Sequence, residues 1–334
     1  MEDQREIALQ AWCEAQTGLA QQALQSVSGD ASFRRYFRVQ SEDNSLIAVD
    51  CPPQQEPLLP FLAIAEAYAQ GNIPVPQVLA VDIEKGFMLQ SDLGQTLLLS
   101  KLRRDNMRQY YGQALAMLPA IMRVQETADG PLPAYNEALL TRELNLFHDW
   151  LLEQQLSLTL DARERQLWGD FCQQMIDNAL QQPTVGVHRD YHSRNLMVQP
   201  NHSLAVIDFQ DAVCGPITYD AVSLLRDCYI EWPDAWVDEL AQQLRTNLQA
   251  EQILASDVSA ADWQRWFDYM GLQRHTKAAG IFARLAIRDG KDGYLNDVPR
   301  TLSYMIRIAA RYPALQPFQQ WLQQRVWPLV ANMR

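Results

Sequence analysis

Three oxygen-bearing side chains fall close together in the middle of the sequence: Asp190, then Asn195, then Asp208 one strand further on. Phosphoryl transfer from a nucleoside triphosphate needs a carboxylate that orients an acceptor hydroxyl and takes its proton. It also needs hard oxygen ligands that hold Mg²⁺ on the phosphates. This set can supply both, with Asp190 as the catalytic base and Asn195 and Asp208 as metal ligands. The implied cofactors are ATP and Mg²⁺.

Such residues act together only if the backbone gathers them. The stretch from Val185 to Phe209 reads as strand, polar loop, strand, turn and strand, with Gln199-Pro200-Asn201-His202 as the turn. A hairpin centred on Asn201-His202 sets Asn195 opposite Asp208, about 5 Å apart at the backbone. Around this centre His188 reads as a brace for the loop. His192 and Arg194 read either as phosphate or substrate contacts or as solvated loop residues, and Asp211 as an outer or purely structural group. Asp220 reads as the N-cap of a helix over 221–230.

Stepping outward, residues 1–93 differ from the rest. A helix over about residues 4–25 leads to the turn-rich Ser28-Gly29-Asp30-Ala31-Ser32. Strands are expected over 36–39 and 46–50. A helix through Phe61, Leu62, Ala65 and Tyr68 ends at Gly71, and strands follow over 78–81 and 86–89. This predicts a small sheet with a helix on it. From residue 94 the pattern is mostly helical; Trp168, Phe171, Met175 and Ala179, for example, share one apolar face. The expected fold class is α+β, as a small sheet lobe (1–93) and a large helical lobe (94–334).

The chain has 334 residues and a formal charge of −12. An acidic chain of this kind argues against general nucleic-acid binding, which uses a basic surface. No apolar run approaches the roughly 20 residues needed to span a bilayer, and no apolar signal-like core follows the acidic start. The expected location is the cytoplasm, with no nucleic-acid or membrane partner. Five cysteines without CxxC spacing indicate neither a disulfide framework nor a zinc site.

The central segment resembles the aminoglycoside phosphotransferase and choline kinase group. Its His188-Arg189-Asp190…Asn195 loop and Ile207-Asp208-Phe209 follow the group's motifs, and Leu89-Gln90-Ser91-Asp92-Leu93-Gly94 looks like its hinge. The resemblance implies a protein-kinase-like bilobal fold, with nucleotide contacts at Ser32, Arg34, Arg35, Gln90, Asp92 and Leu93. Ser223-Leu224-Leu225-Arg226-Asp227 and the run Gly271–Lys277 are similar to a bacterial branch. That branch includes the N-acetylmuramate/N-acetylglucosamine anomeric kinases of cell-wall sugar recycling. One departure stands out: Asp50 sits where the group places a phosphate-binding lysine. Arg34, Arg35 or Arg38 would then meet the phosphates, and Glu66 loses its usual lysine partner.

The expected activity is therefore ATP-dependent phosphorylation of a small-molecule hydroxyl, most readily the anomeric hydroxyl of an amino sugar. The alternatives are an aminoglycoside, choline or another amino alcohol, homoserine, or a nucleotide-binding pseudokinase. Candidate substrate residues are His192, Arg194, Asp211, Arg274 and His275. Arg284, Arg288 and Lys291 read either as a carboxylate-binding face or as a solvated one paired with Asp289 and Asp292. Phe147, Trp150 and Glu143 read either as a sugar-lining face or as core.

Overall fold

Asp3 starts the first helix by accepting the backbone N–H groups of Arg5 (3.0 Å) and Glu6 (3.3 Å). This helix, α1 (Gln4–Thr17), closes at Gly18 with φ 73°. The helix expected over about residues 4–25 stops here, because a left-handed glycine ends the hydrogen-bonded spiral. The chain, known from a computed structural model, is described for residues 3–18, 23–27, 34–40 and 45–331.

Next come β1 (Gln25–Val27), β2 (Arg35–Gln40), β3 (Ser45–Asp50), α2 (Leu59–Gln70), β4 (Val78–Asp82) and β5 (Phe87–Ser91). Beyond them lie α3 (Leu98–Lys101), α4 (Met107–Arg123), the short β6 (Glu126–Thr127) and β7 (Gly130–Pro131), and α5 (Glu137–Leu146). A π-helix (Phe147–Gln155) continues α5, and α6 (Ala162–Leu180) follows, started by a capping box of Asp161 and Glu164. The central segment supplies β8 (Thr184–Val187), β9 (Leu196–Val198), β10 (Leu204–Val206) and β11 (Val213–Pro216). The remainder is α7 (Tyr219–Leu225), α8 (Asp234–Ala250), α9 (Ala260–Asp289), α10 (Val298–Ala309), α11 (Gln316–Trp321) and α12 (Trp327–Val330).

The chain divides into two compact units. The first comprises Met1–Arg103, Glu126–Pro131 and Arg194–Ala212; the second comprises Arg104–Gln125, Leu132–Ser193 and Val213–Arg334. The β9–β10 hairpin groups with the sheet.

Among the described residues of the first unit, five strands form an antiparallel sheet in the order β1-β2-β3-β5-β4. Strand alternation sends Phe37, Val39, Ala48, Phe87 and Leu89 to one face, where Leu9 and Cys13 of α1 complete a core. The hairpin is stitched to the same unit: Val198 N–H donates to Thr96 O (2.8 Å), Val206 N–H to Pro74 O (2.7 Å) and Gln199 Nε2 to Leu93 O (2.9 Å). Gly71 follows α2 as expected but at φ −76°; the left-handed residue there is Asn72.

The second unit is built on α9, whose 30 residues include a long series of buried ones. It packs against α5 and its π-helix, α6, α7, α8 and α10. Gly280 permits a close crossing with the end of α5: a Cβ there would sit 2.3 Å from the Leu146 carbonyl carbon. β8 pairs with β11, Val187 facing Val213.

Candidate active site

β8 ends at Val187 and delivers the chain into a loop whose backbone is bent and then clamped. Arg189 lies at φ 75°, an uncommon conformation for a residue with a side chain. Asp220, in the first turn of α7, accepts the N–H groups of His188 (2.7 Å) and Arg189 (3.0 Å). Burial pushes the Asp220 carboxyl up to about 7 while those two N–H groups pull it back. Asp227 accepts the N–H of Ser193 (2.9 Å), the Ser193 hydroxyl and the N–H of Tyr229 (2.9 Å). His188 is buried and its Nδ1 accepts the N–H of Asp190 (3.3 Å), the bracing role expected of it. The N-cap reading of Asp220 is corrected: Thr218 precedes the helix, and Asp220 braces the loop instead.

Asp190 is half-buried on this loop. Burial alone would raise its pKa, but Lys277, His192, Arg274 and Arg189 outweigh that and hold it down to about 2. Asp190 is therefore an anion throughout the physiological range. Its cationic neighbours are themselves organised. Buried Glu143 of α5 pairs with Arg189 (2.7 Å) and Lys277 (3.0 Å), and accepts hydrogen bonds from the Tyr135 hydroxyl and Gln273 (3.3 Å). Lys277 also donates to the Tyr219 hydroxyl at 3.0 Å.

In the sheet unit, β9 and β10 pair Leu196 with Val206 and Val198 with Leu204. The register expected from the sequence is off by one residue. His202 N–H bonds Gln199 O and Gln199 N–H bonds Ser203 O, with His202 at φ 64°. That is a three-residue loop, a type I turn followed by one left-handed residue. Ile207 rather than Asp208 is therefore opposite Asn195, its N–H reaching Asn195 O at 3.1 Å. Asp208 still meets Asn195 because it too is left-handed, at φ 65°. Asn195 Nδ2 donates to Asp208 Oδ2 at 3.1 Å, and Gln210 Nε2 donates to Oδ1 at 2.8 Å. Phe209 anchors the bend by stacking on Phe61 of α2 at 4.8 Å. An amide oxygen and a carboxylate on touching side chains fit Mg²⁺, which prefers hard oxygen donors and keeps part of its shell for phosphates and water.

The arginines expected to meet nucleotide phosphates are placed otherwise. Asp50 is fully buried on the α1 face of the sheet, accepting Arg5 Nε (2.9 Å) and Arg35 Nε (3.0 Å). It points away from the face that carries Tyr36 and Arg38 and binds its own cations, so Arg35 is committed to Asp50 and Asp3. Arg34 pairs with Glu56 at 2.7 Å and packs on Phe61. Arg38 pairs with Asp92, whose carboxylate also takes the Ser45 hydroxyl (2.6 Å) and Gly94 N–H (2.8 Å). Asp92 is therefore a clamp on the strand ends, and Leu93 O is occupied by Gln199. Gln90 is buried with Oε1 unpartnered, and Glu66 is exposed and bonded to Gln70. Ser32 lies outside the described residues.

Of the acceptor candidates, His192 stacks edge-on against Tyr229 and Arg274 joins the Asp190 surroundings. Arg194 is half-buried and Asp211 exposed, both in the sheet unit. His275 is corrected to a core residue: it is fully buried, bonds Arg226 O at 2.9 Å and stacks on Tyr304. Arg288 pairs with Asp289 at 2.7 Å, a charged surface pair, and Phe147 is core against Trp168. The sequence reading gave no joint role to Glu143, Arg189 and Lys277, which come from three separate segments. The one local hint was a pair of cations, Arg274 and Lys277, one turn apart on α9.

Solved structures share this architecture. Choline kinase LicA from Streptococcus pneumoniae matches with a TM-score of 0.60 at 13% identity, over 93% of this chain and 100% of that one. An ADP-bound aminoglycoside phosphotransferase, APH(2'')-Ib, matches with a TM-score of 0.59 at 13% identity, over 90% and 98%. The fold is the protein-kinase-like α+β bilobal one. The chain belongs to the phosphotransferase enzyme family, whose model matches residues 23–254. Curated relatives narrow this further. The N-acetylmuramate/N-acetylglucosamine kinase of Pseudomonas aeruginosa is 44% identical over 86% of this chain and 84% of its own length. The one from Neisseria meningitidis is 37% identical over 97% and 96%. The chain is a small-molecule kinase.

Proposed function

We propose that this kinase transfers the γ-phosphate of ATP to the anomeric hydroxyl of N-acetylmuramate and N-acetylglucosamine. The supporting observation is that relatives 37–44% identical, aligned over most of their length, are all named as kinases of these two sugars. In this reading Asp190 orients the acceptor hydroxyl and takes its proton. A carboxylate held near pKa 2 is a weak base, and that suits the reaction. A loose phosphoryl-transfer transition state needs little activation of the nucleophile, so alignment and late proton acceptance suffice. Arg189 and Lys277, fixed by Glu143, keep Asp190 charged and in place. Asn195 and Asp208 would hold Mg²⁺, which when bound neutralises charge on the phosphates. ATP as donor and amino sugars recovered from the cell wall as acceptors support a cytoplasmic location.

The test is ATP consumption against a panel of both amino sugars, an aminoglycoside, choline and homoserine, with the product assayed for its reducing end. Turnover on the amino sugars with loss of reducing-end reactivity is expected. Turnover that leaves the reducing end intact rejects the anomeric acceptor. Asp190→Ala is expected to lower kcat by at least 10²-fold, and a near-normal rate would remove Asp190 from the role of base.

A further inference from the structure

Among the described residues, the other buried cations come with carboxylates. Arg34 has Glu56, Arg38 has Asp92, Arg189 and Lys277 share Glu143, and Arg226 has Asp268 at 2.5 Å. Arg274 departs from the pattern. It is 6% exposed, and its hydrogen bond is to Cys228 Sγ at 3.8 Å, a long contact to a thiol that burial keeps protonated. Its Nε is sealed with no partner. Asp190 and Asp227 are near enough to act on its charge, but among the described residues its side-chain hydrogen bond goes to Cys228 rather than to either carboxylate. Asp227 already serves the N–H groups of Ser193 and Tyr229. A desolvated guanidinium with carboxylates near it but none bonded to it is costly, so its place in a fold is best explained by an anion that arrives with a ligand.

We infer that Arg274 is the acceptor-selecting residue, whose guanidinium receives the carboxylate of an acidic amino sugar. The inference deepens the proposed function and rests on it. Arg274 stands one turn before Lys277 on α9, beside the carboxylate proposed to face the reacting hydroxyl. The planar fork of arginine matches a carboxylate at two nitrogens, which an ammonium cannot do. N-acetylmuramate carries a lactyl carboxylate and N-acetylglucosamine has none. The contact therefore distinguishes the two acceptors while leaving the transfer chemistry common to both.

The experiment compares kcat/KM for N-acetylmuramate, its methyl ester and N-acetylglucosamine in the wild type and in Arg274→Gln. The variant is expected to lose about 10- to 100-fold more on the acid than on N-acetylglucosamine, mainly through KM, since that is the usual worth of a hydrogen bond to a charged group. In the wild type the ester is expected to fall behind the acid by a similar factor, and in the variant that gap closes. Equal losses on both sugars would mean that Arg274 touches the phosphoryl group, and would overturn the inference. If the variant shows no cooperative unfolding, the wild-type comparison decides: acid and ester used equally well overturn it. A wild type inactive on both amino sugars rejects the proposed acceptor, and this inference with it. Activity on both sugars with no preference for the acid over its ester rejects this inference alone.

Discussion

Asp220 and Asp227 do for the 188–193 backbone what a cap does for a helix end, offering carboxylate oxygens to N–H groups that would otherwise lack partners. Asp190, Asn195 and Asp208 stood out as candidates in the sequence because their spacing within one segment is itself the signal, and the structure brings Asn195 and Asp208 into contact. The braces did not stand out. Asp220 is thirty-two positions from His188, and nothing local separates a buried clamp from an N-cap. His275 shows the same limit, since a histidine beside Arg274 reads as a ligand group until its burial is known. Burial, with Arg274, Arg226 and Arg307 adding repulsion, depresses its pKa to about 3, while its bond to Arg226 O opposes this. The folded pKa lies below the unfolded value, so the unfolded state binds the extra proton. Stability from this group is complete above about pH 6.5 and falls as pH drops toward 3. Denaturant titrations at pH 7 and pH 5 should show the wild type losing up to about 1.4 kcal/mol per pH unit more than His275→Gln. Parallel losses in the two proteins would contradict a neutral core histidine.

The strands and helices were largely where periodicity put them, and the misplacements have local causes. Gly18 cut α1 short, and the three-residue loop at Pro200–His202 shifted the hairpin by one position. The shift would have parted Asn195 from Asp208 had the left-handed bend at Asp208 not turned its side chain back. Gly186 in β8 shows how tightly the loop is aimed: a Cβ there would come within 2.1 Å of Val124 O and 2.5 Å of Ile121 O, at the C-terminal end of α4. Because both obstacles are backbone, β8 itself must move. Gly186→Ala should cost about 1–3 kcal/mol of stability and lower kcat more than it raises KM. Unchanged unfolding and kinetics would show that β8 has slack.

At the scale of the whole chain, the proposed base and the proposed metal ligands belong to different compact units, which divide at Ser193 and Arg194. The two functions should therefore separate on mutation. Asp208→Ala is expected to weaken Mg-dependent ATP binding by at least tenfold, since a metal ligand is lost, whereas Asp190→Ala leaves that binding within about twofold. Calorimetry of each variant with Mg-ATP reads the difference, and equal losses would refute the division of labour. Family membership was legible in the motifs, but the fate of the missing lysine was not, because one strand position does not reveal which face of a sheet it serves. That face has a practical corollary for redesign. A lysine grafted at position 50 would arrive at a buried position already faced by the guanidiniums of Arg5 and Arg35, with α1 overhead, and would unseat the helix before meeting any nucleotide. Val49, which the pleat turns the other way, is the position from which a new ammonium could reach the opposite surface.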